Sequence, residues 1–167
     1  MPALLSQRKP YWQNAAVWLA TGLGLGYSPI APGTVGSLWG LLIVVYVNTS
    51  FGVVGQVVVG LVLTAVAIPL CDVAEKAIGT KDPHPIVADE YLTFSLCMIG
   101  LPLKLWVIGM AFVVNRIFDI VKPPPARGLQ NLPGGLGIVI DDFLACLYAL
   151  ATNHLIFWLV GLVQARS

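Results

Sequence analysis

YLTFSLCMIGLPLKLWVIGMAFVV, residues 91–114, decides the topology of this chain. It is apolar and long enough for one crossing of a bilayer, which takes roughly 20 residues. Near its middle, however, sits Gly100-Leu101-Pro102-Leu103-Lys104. Glycine and proline are poor helix formers. A single span would put residues 72–90 and 115–135 on opposite faces. A helical hairpin bent at 100–104 returns the chain to the side it left. The hairpin is favoured, because all eight acidic side chains lie between residues 72 and 142 and it keeps them together.

Those acids are Asp72, Glu75, Asp82, Asp89, Glu90, Asp119, Asp141 and Asp142, interspersed with Lys76, Lys81, Arg116, Lys122 and Arg127. The rest is largely apolar. The 167 residues are 57% hydrophobic and 10% charged, against about 25% charged in soluble domains. With a mean hydropathy of +0.85, the class is an all-α, polytopic integral membrane bundle. One domain, 1–167, is expected from the length. A net charge of +1 with no basic face excludes a nucleic-acid partner. Cys71, Cys97 and Cys146 sit in apolar runs without metal-site spacing and read as buried thiols. Arg8-Lys9 ahead of an apolar stretch resembles a leader, but no good cleavage site follows, so no cleavable signal peptide is expected.

Working outward, residues 15–27 are too short to span and read as an interfacial or re-entrant helix. Residues 28–36, with two prolines, read as a non-helical loop. A helix over about 37–47, a polar turn at Asn48-Thr49-Ser50 and a helix over about 51–71 form a hairpin. The segment 72–90 continues that helix until Gly79 and Pro83 break it. Residues 115–135 hold a helix end, a Pro-rich turn and a Pro-Gly-Gly break, and a last helix runs from Leu136 to about Val163. No internal repeat is present. The basic residues near the acids point the charged face to the cytoplasm.

Carboxylates at the edge of hydrocarbon are functional candidates, since they are costly unless paired or bound to a cation. Asp141-Asp142 is the sharpest pair. Adjacent helical residues point about 100° apart, so one of them is expected to face a site squarely; the structural alternative is favourable placement near a helix N-terminus. Asp89, Glu90, Asp141 and Asp142 form an oxygen-only donor set suited to Mg²⁺ or Mn²⁺. Asp82 or Asp119 is the candidate general base. Arg116, Asp119 and Lys122 share a helical face; either they form a salt-bridge ladder, or Arg116, Lys122 and Arg127 neutralise phosphate. Thr34, in the Gly33–Gly36 loop that opens a helix, is a further substrate-binding candidate, as is the backbone at Pro133–Gly137. His84 reads as a loop residue, His154 as structural, and Asp72, Glu75 and Lys76 as a solvated ion-pair face.

Four stretches then coincide: SPIAPGTVGS (28–37), EKxxGxKDPxxIVxDE (75–90), RIFDIVKPPPAR (116–127) and PGGLGIVIDD (133–142). Together, and in this order, they resemble the phosphatidylglycerophosphatase A family over about residues 20–150. The resemblance implies a bacterial inner-membrane, Mg²⁺-dependent phosphatase that converts phosphatidylglycerophosphate to phosphatidylglycerol and orthophosphate. Asp82, Asp89, Glu90, Asp119, Lys122, Arg127, Asp141 and Asp142 match its motif positions. Thr93 and Cys146 depart from it, standing where glycines are usual. The covalent phosphatase motifs CxxxxxR and DxDx[TV] are absent. A phosphatase of another lipid, such as a polyprenyl diphosphate, is the nearest alternative. A divalent-cation transporter fits less well, since its acids are expected in broken helices at the midplane.

Overall fold

The computed structural model describes residues 10–165; Arg8-Lys9 lie outside them. The helices are α1 (Tyr11–Ala20), α2 (Pro32–Gly36), α3 (Leu38–Ser50), α4 (Val53–Ile78), α5 (Ala88–Thr93), α6 (Leu105–Val121), α7 (Ala126–Leu129) and α8 (Gly134–Gln164). Among the described residues there is no strand. Pro32–Ser50, Val53–Ile78 and Gly134–Gln164 are long and apolar enough to cross a bilayer, so this is a membrane protein.

Residues 91–114 do fold back. α5 continues as a tight 3₁₀ turn over Phe94–Met98, the backbone breaks, and α6 returns. The register is antiparallel: Glu90 pairs with Arg116, and the Phe94 and Phe112 rings meet edge to face at 5.9 Å. The descending arm of about 11 residues, Ala88–Met98, is too short to cross. Phe94, Leu96, Cys97 and Met98 from this arm, with Val44, Val107, Ala111, Cys146 and Ala149, form one apolar core cluster.

A broken backbone surrounded by apolar helices must have its polar groups satisfied by protein. Four polar side chains on the long helices do this at the hairpin tip. Asn48 Nδ2 donates to the Met98 and Leu101 carbonyls at 3.2 and 3.3 Å. Gln56 Oε1 accepts from the Gly100 N–H at 2.8 Å. Asn153 Nδ2 donates to the Cys97 carbonyl at 3.0 Å. His154 Nε2 lies 2.9 Å from the Ile99 carbonyl, the structural role expected of it. Asn153 is wholly buried. Asn153→Ala would deprive a buried carbonyl of its side-chain donor and should cost about 1–3 kcal/mol, read as a lowered melting temperature in detergent. His154→Ala, at an exposed position, should lower it less.

Several boundaries differ from the sequence expectation. Asn48-Thr49-Ser50 is the last turn of α3, where Thr49 Oγ1 donates back to the Val45 carbonyl at 2.7 Å. Residues 32–36 are helical rather than loop, because proline at the first helical position costs no hydrogen bond. α1 starts earlier than expected, at Tyr11. α4 ends at Gly79, which takes the left-handed conformation at φ 87°. α8 begins at Gly134, so the glycines expected as a break form its first turn. They allow close packing: a Cβ at Gly135 would strike the Ile68 carbonyl. The three cysteines are free and buried, as expected.

Candidate active site

The ends of α2, α5, α6 and α8, with the loop at 82–86, enclose a polar cavity of about 460 Å³. Nine of the ten residues singled out from sequence line it: Thr34, Asp82, Asp89, Glu90, Arg116, Asp119, Lys122, Asp141 and Asp142. The tenth, Arg127, is exposed on α7 and is not part of the lining. The prolines of 123–125 turn the chain so that Lys122 reaches inward while Arg127 does not.

Asp141 and Asp142 both line the cavity, and both are buried. The expectation that one would face away does not hold, because the first turns of α8 are flanked on two sides. Asp142 lines the same wall as Asp89, while Asp141 pairs with Lys122 at the end of α6. Lys122 sits in the left-handed region at φ 47°. Of the four described non-glycine residues with positive φ, Ala31, Asp82 and Lys122 all border this cavity. Such strain gathers at functional sites.

Glu90 is tied from three directions. Ser37 Oγ lies 2.7 Å from its Oε2, Arg116 pairs with the same oxygen, and Gly33 leaves room for the carboxylate where a Cβ would strike it. Arg116 also reaches Asp119 at 2.8 Å. Both ends of its guanidinium are therefore spent on carboxylates, and half of the expected salt-bridge ladder is present. Ser37 is a site residue that sequence reasoning does not reach, since its only signal is the helix start it belongs to. His84, expected as a plain loop residue, also lines the cavity.

The charge balance is lopsided. Six carboxylates face Arg116 and Lys122, an excess of four negative charges (six less two) if all ionise. Burial, reinforced by the neighbouring Glu90, pushes the Asp89 carboxyl well above the usual range. Burial also raises Glu90, against the opposing pull of Arg116 and Ser37. For Lys122, burial works against the charged form, but its bond to Asp141 wins and its pKa lies above the ordinary value.

Two ionised carboxylates do not sit in contact without a proton or a cation. The buried Asp89 Oδ1 and Asp141 Oδ1 have no hydrogen-bond partner. These orphaned oxygens, in a cavity that Asp89 and Asp142 line together, fit a hard cation. Among the described residues no group of three His, Cys, Asp or Glu forms a ready-made metal cage. A Mg²⁺ ion at this site would take one or two of these carboxylates and complete its shell with water and substrate phosphate.

The remaining acids and glycines are structural. Asp72 pairs with Lys76 at 2.5 Å and lies 3.4 Å from the Gly135 N–H at the start of α8. The Pro133–Gly137 turn is thus served by the protein's own carboxylate rather than offered to a substrate. Glu75 Oε1 accepts from the Asp82 N–H at 3.0 Å and holds the 82–86 loop. Thr93 and Cys146 touch each other, with Sγ 3.6 Å from Oγ1, so the two departures from the expected glycines form one contact between α5 and α8.

Residues 18–157 match the model of a family described as phosphatidylglycerophosphatase A. A Bacteroides thetaiotaomicron protein named as a candidate phosphatidylinositol-3-phosphatase is 34% identical, over 87% of this chain and 95% of its own length. The phosphatidylglycerophosphatase A of Escherichia coli is 34% identical, over 87% of each chain. That of Haemophilus influenzae is 34% identical, over 85% of this chain and 89% of its own. No solved structure matches. On the family match and on near full-length relatives, the chain belongs to the phosphatidylglycerophosphatase A family and is a phosphoric monoester hydrolase.

Proposed function

We propose that this protein is a Mg²⁺-dependent lipid phosphatase, hydrolysing phosphatidylglycerophosphate to phosphatidylglycerol and orthophosphate at the cytoplasmic face of a bacterial inner membrane. The observation that carries the reading is the single cavity in which carboxylates from three separate motifs meet Lys122 and Arg116 at the ends of apolar helices. In a bilayer the hairpin over 88–121 would be re-entrant, with its tip roughly 16 Å from the acids, as the 11 residues from Asp142 to Asn153 imply.

Asp89 and Asp142 would hold the cation, with Asp141 kept on Lys122 beside it. When bound, Mg²⁺ neutralises phosphoryl oxygens and lowers the pKa of a water. Asp82 would take the proton from the attacking water; its exposed loop position leaves it freer than Asp119, which is bonded to Arg116. Lys122 would bind the phosphate, and Thr34 would lie beside it. Arg116 acts chiefly by positioning Glu90 and Asp119. Arg127, outside the cavity, would at most meet the lipid headgroup at its margin.

The test is phosphate release by purified protein from phosphatidylglycerophosphate and from phosphatidylinositol 3-phosphate, each with Mg²⁺ and with EDTA. The expected result is release from the glycerol lipid that EDTA abolishes. Preference for the inositol lipid would favour the activity named for the Bacteroides relative. Preference for a polyprenyl diphosphate, or metal uptake into proteoliposomes without phosphate release, would replace the proposal.

A further inference from the structure

A second cavity, of about 480 Å³, lies between α1, α3, α4 and α5. Its wall is apolar apart from three amphipathic aromatic side chains, Trp39, Tyr46 and Tyr91, and the polar ends of Trp39 and Tyr91 are bonded within the protein. Trp39 Nε1 donates to the Gly22 carbonyl at 3.0 Å, and the Tyr91 hydroxyl donates to the Leu19 carbonyl at 2.9 Å. Amphipathic rings of this kind sit at the membrane–water boundary. From that level the groove follows α3 from Trp39 to Val47, eight residues or about 12 Å, against Val59 and Leu63 of α4.

The groove adjoins the polar cavity. Glu90 lines one and Tyr91, the next residue of α5, lines the other. Thr34 lines the polar cavity and Trp39, one helical turn and a little more along the chain, lines the groove. At the rim Val87 is buried, packed against Gly36, which follows Thr34 by two residues, and within 3.1 Å of where a Cβ on the groove residue Gly22 would lie. A molecule with a phosphate in the first cavity and an alkyl chain in the second needs only a short polar linker across that rim. A glycerophospholipid has this form.

We propose that the groove holds one acyl chain of the lipid whose phosphate enters the polar cavity. The inference rests on the function proposed above and extends it to the site of chain recognition. Lipid tails are as apolar as the groove, so moving a chain from bilayer to groove gains little transfer free energy. The groove acts by orientation: it restricts the headgroup to approaches that place the phosphate against Lys122 and the carboxylates.

The experiment fills the groove. Leu42→Trp, at an exposed position in the groove wall, and Ile43→Trp are compared with wild type and with Val45→Trp. Val45 is exposed on the same helix but is not in the wall. Each protein is assayed in mixed micelles on dipalmitoyl and dihexanoyl phosphatidylglycerophosphate. The two groove variants should lose about tenfold in kcat/KM on the long-chain lipid and change less than about twofold on the short-chain one. Val45→Trp should change neither. Equal loss on both lipids, or no loss on either, overturns the proposal.

A second measurement separates this from failure of the function reading. Wild-type protein is cross-linked to a phosphatidylglycerophosphate carrying a photoactivatable group in its acyl chain. Labelling of α3 or Leu63 that unlabelled phosphatidylglycerophosphate suppresses and phosphatidylcholine does not supports the groove. Labelling that both suppress equally overturns it, since the groove would then be ordinary lipid-facing surface. Wild type that releases no phosphate from either chain length counts against the function reading alone, and the cross-linking pattern still decides the groove.

Discussion

Asp142→Asn should lower Mg²⁺-dependent phosphate release by about a hundredfold to a thousandfold, the range seen when one preorganised charge-stabilising group is removed from an active site. Asp142 is buried on the first turns of α8, in the cavity it shares with Asp89, Glu90 and Asp119. Asparagine keeps the side chain's shape but removes the charge. The folded protein should therefore be recovered with an unchanged or slightly raised melting temperature, because one source of carboxylate repulsion is gone. Stabilisation by added Mg²⁺, which follows from binding to the folded form, should shrink together with activity. Full activity in purified Asp142→Asn would remove Asp142 from the cation site. A destabilised protein that still responds fully to Mg²⁺ would make it structural.

The second large effect is at Arg116. Its guanidinium joins Glu90 and Asp119 in a setting where all three side chains are less than a fifth exposed. Arg116→Met would leave two acids enclosed without their partner, a change that typically costs about 3–5 kcal/mol. Most of that cost is the stranded charge rather than the lost attraction. The double variant Arg116→Met with Glu90→Gln should therefore be more stable than Arg116→Met alone, measured by denaturation in detergent. If Arg116 instead serves mainly as a phosphate ligand, Arg116→Met would unfold like wild type, raise KM, and gain nothing from Glu90→Gln.

The Arg116 case marks where local pattern stops being informative. The spacing of Arg116, Asp119 and Lys122 puts them on one helical face, and the Arg116–Asp119 bond follows from it. The bond to Glu90 spans 26 positions and that between Ser37 and Glu90 spans 53, so no local pattern announces them. The same applies to Asn48, Gln56, Asn153 and His154. Gln56 is a lone polar residue in an apolar run and the others stand in short polar stretches, Asn48-Thr49-Ser50 and Thr152-Asn153-His154; their common purpose appears only when the hairpin tip lies between them.

Arg127 and the 133–137 glycines show the opposite limit. Arg127 belongs to a basic motif beside the acids, yet the turn after Lys122 carries it away from the cavity. The glycines match an anion-binding pattern, but Asp72 on the neighbouring helix already lies at that helix start. Motif position records that a residue belongs to the region without saying which way it points.

Composition and order in the chain were enough to establish an apolar helical protein and the confinement of its acids to one stretch, and to favour a reversal at Gly100–Lys104. Those follow from hydropathy, charge cost and the helix-breaking chemistry of glycine and proline, all of which act locally. Only the tertiary structure decided that Asp141 and Asp142 share one cavity, that Glu90 and Asp119 are bound to Arg116, and that Asp89 and Asp141 each keep an unpartnered buried oxygen. Ion pairing and desolvation depend on distance through space and on what surrounds a group, and both are set by the packing of α2, α5, α6 and α8 against one another.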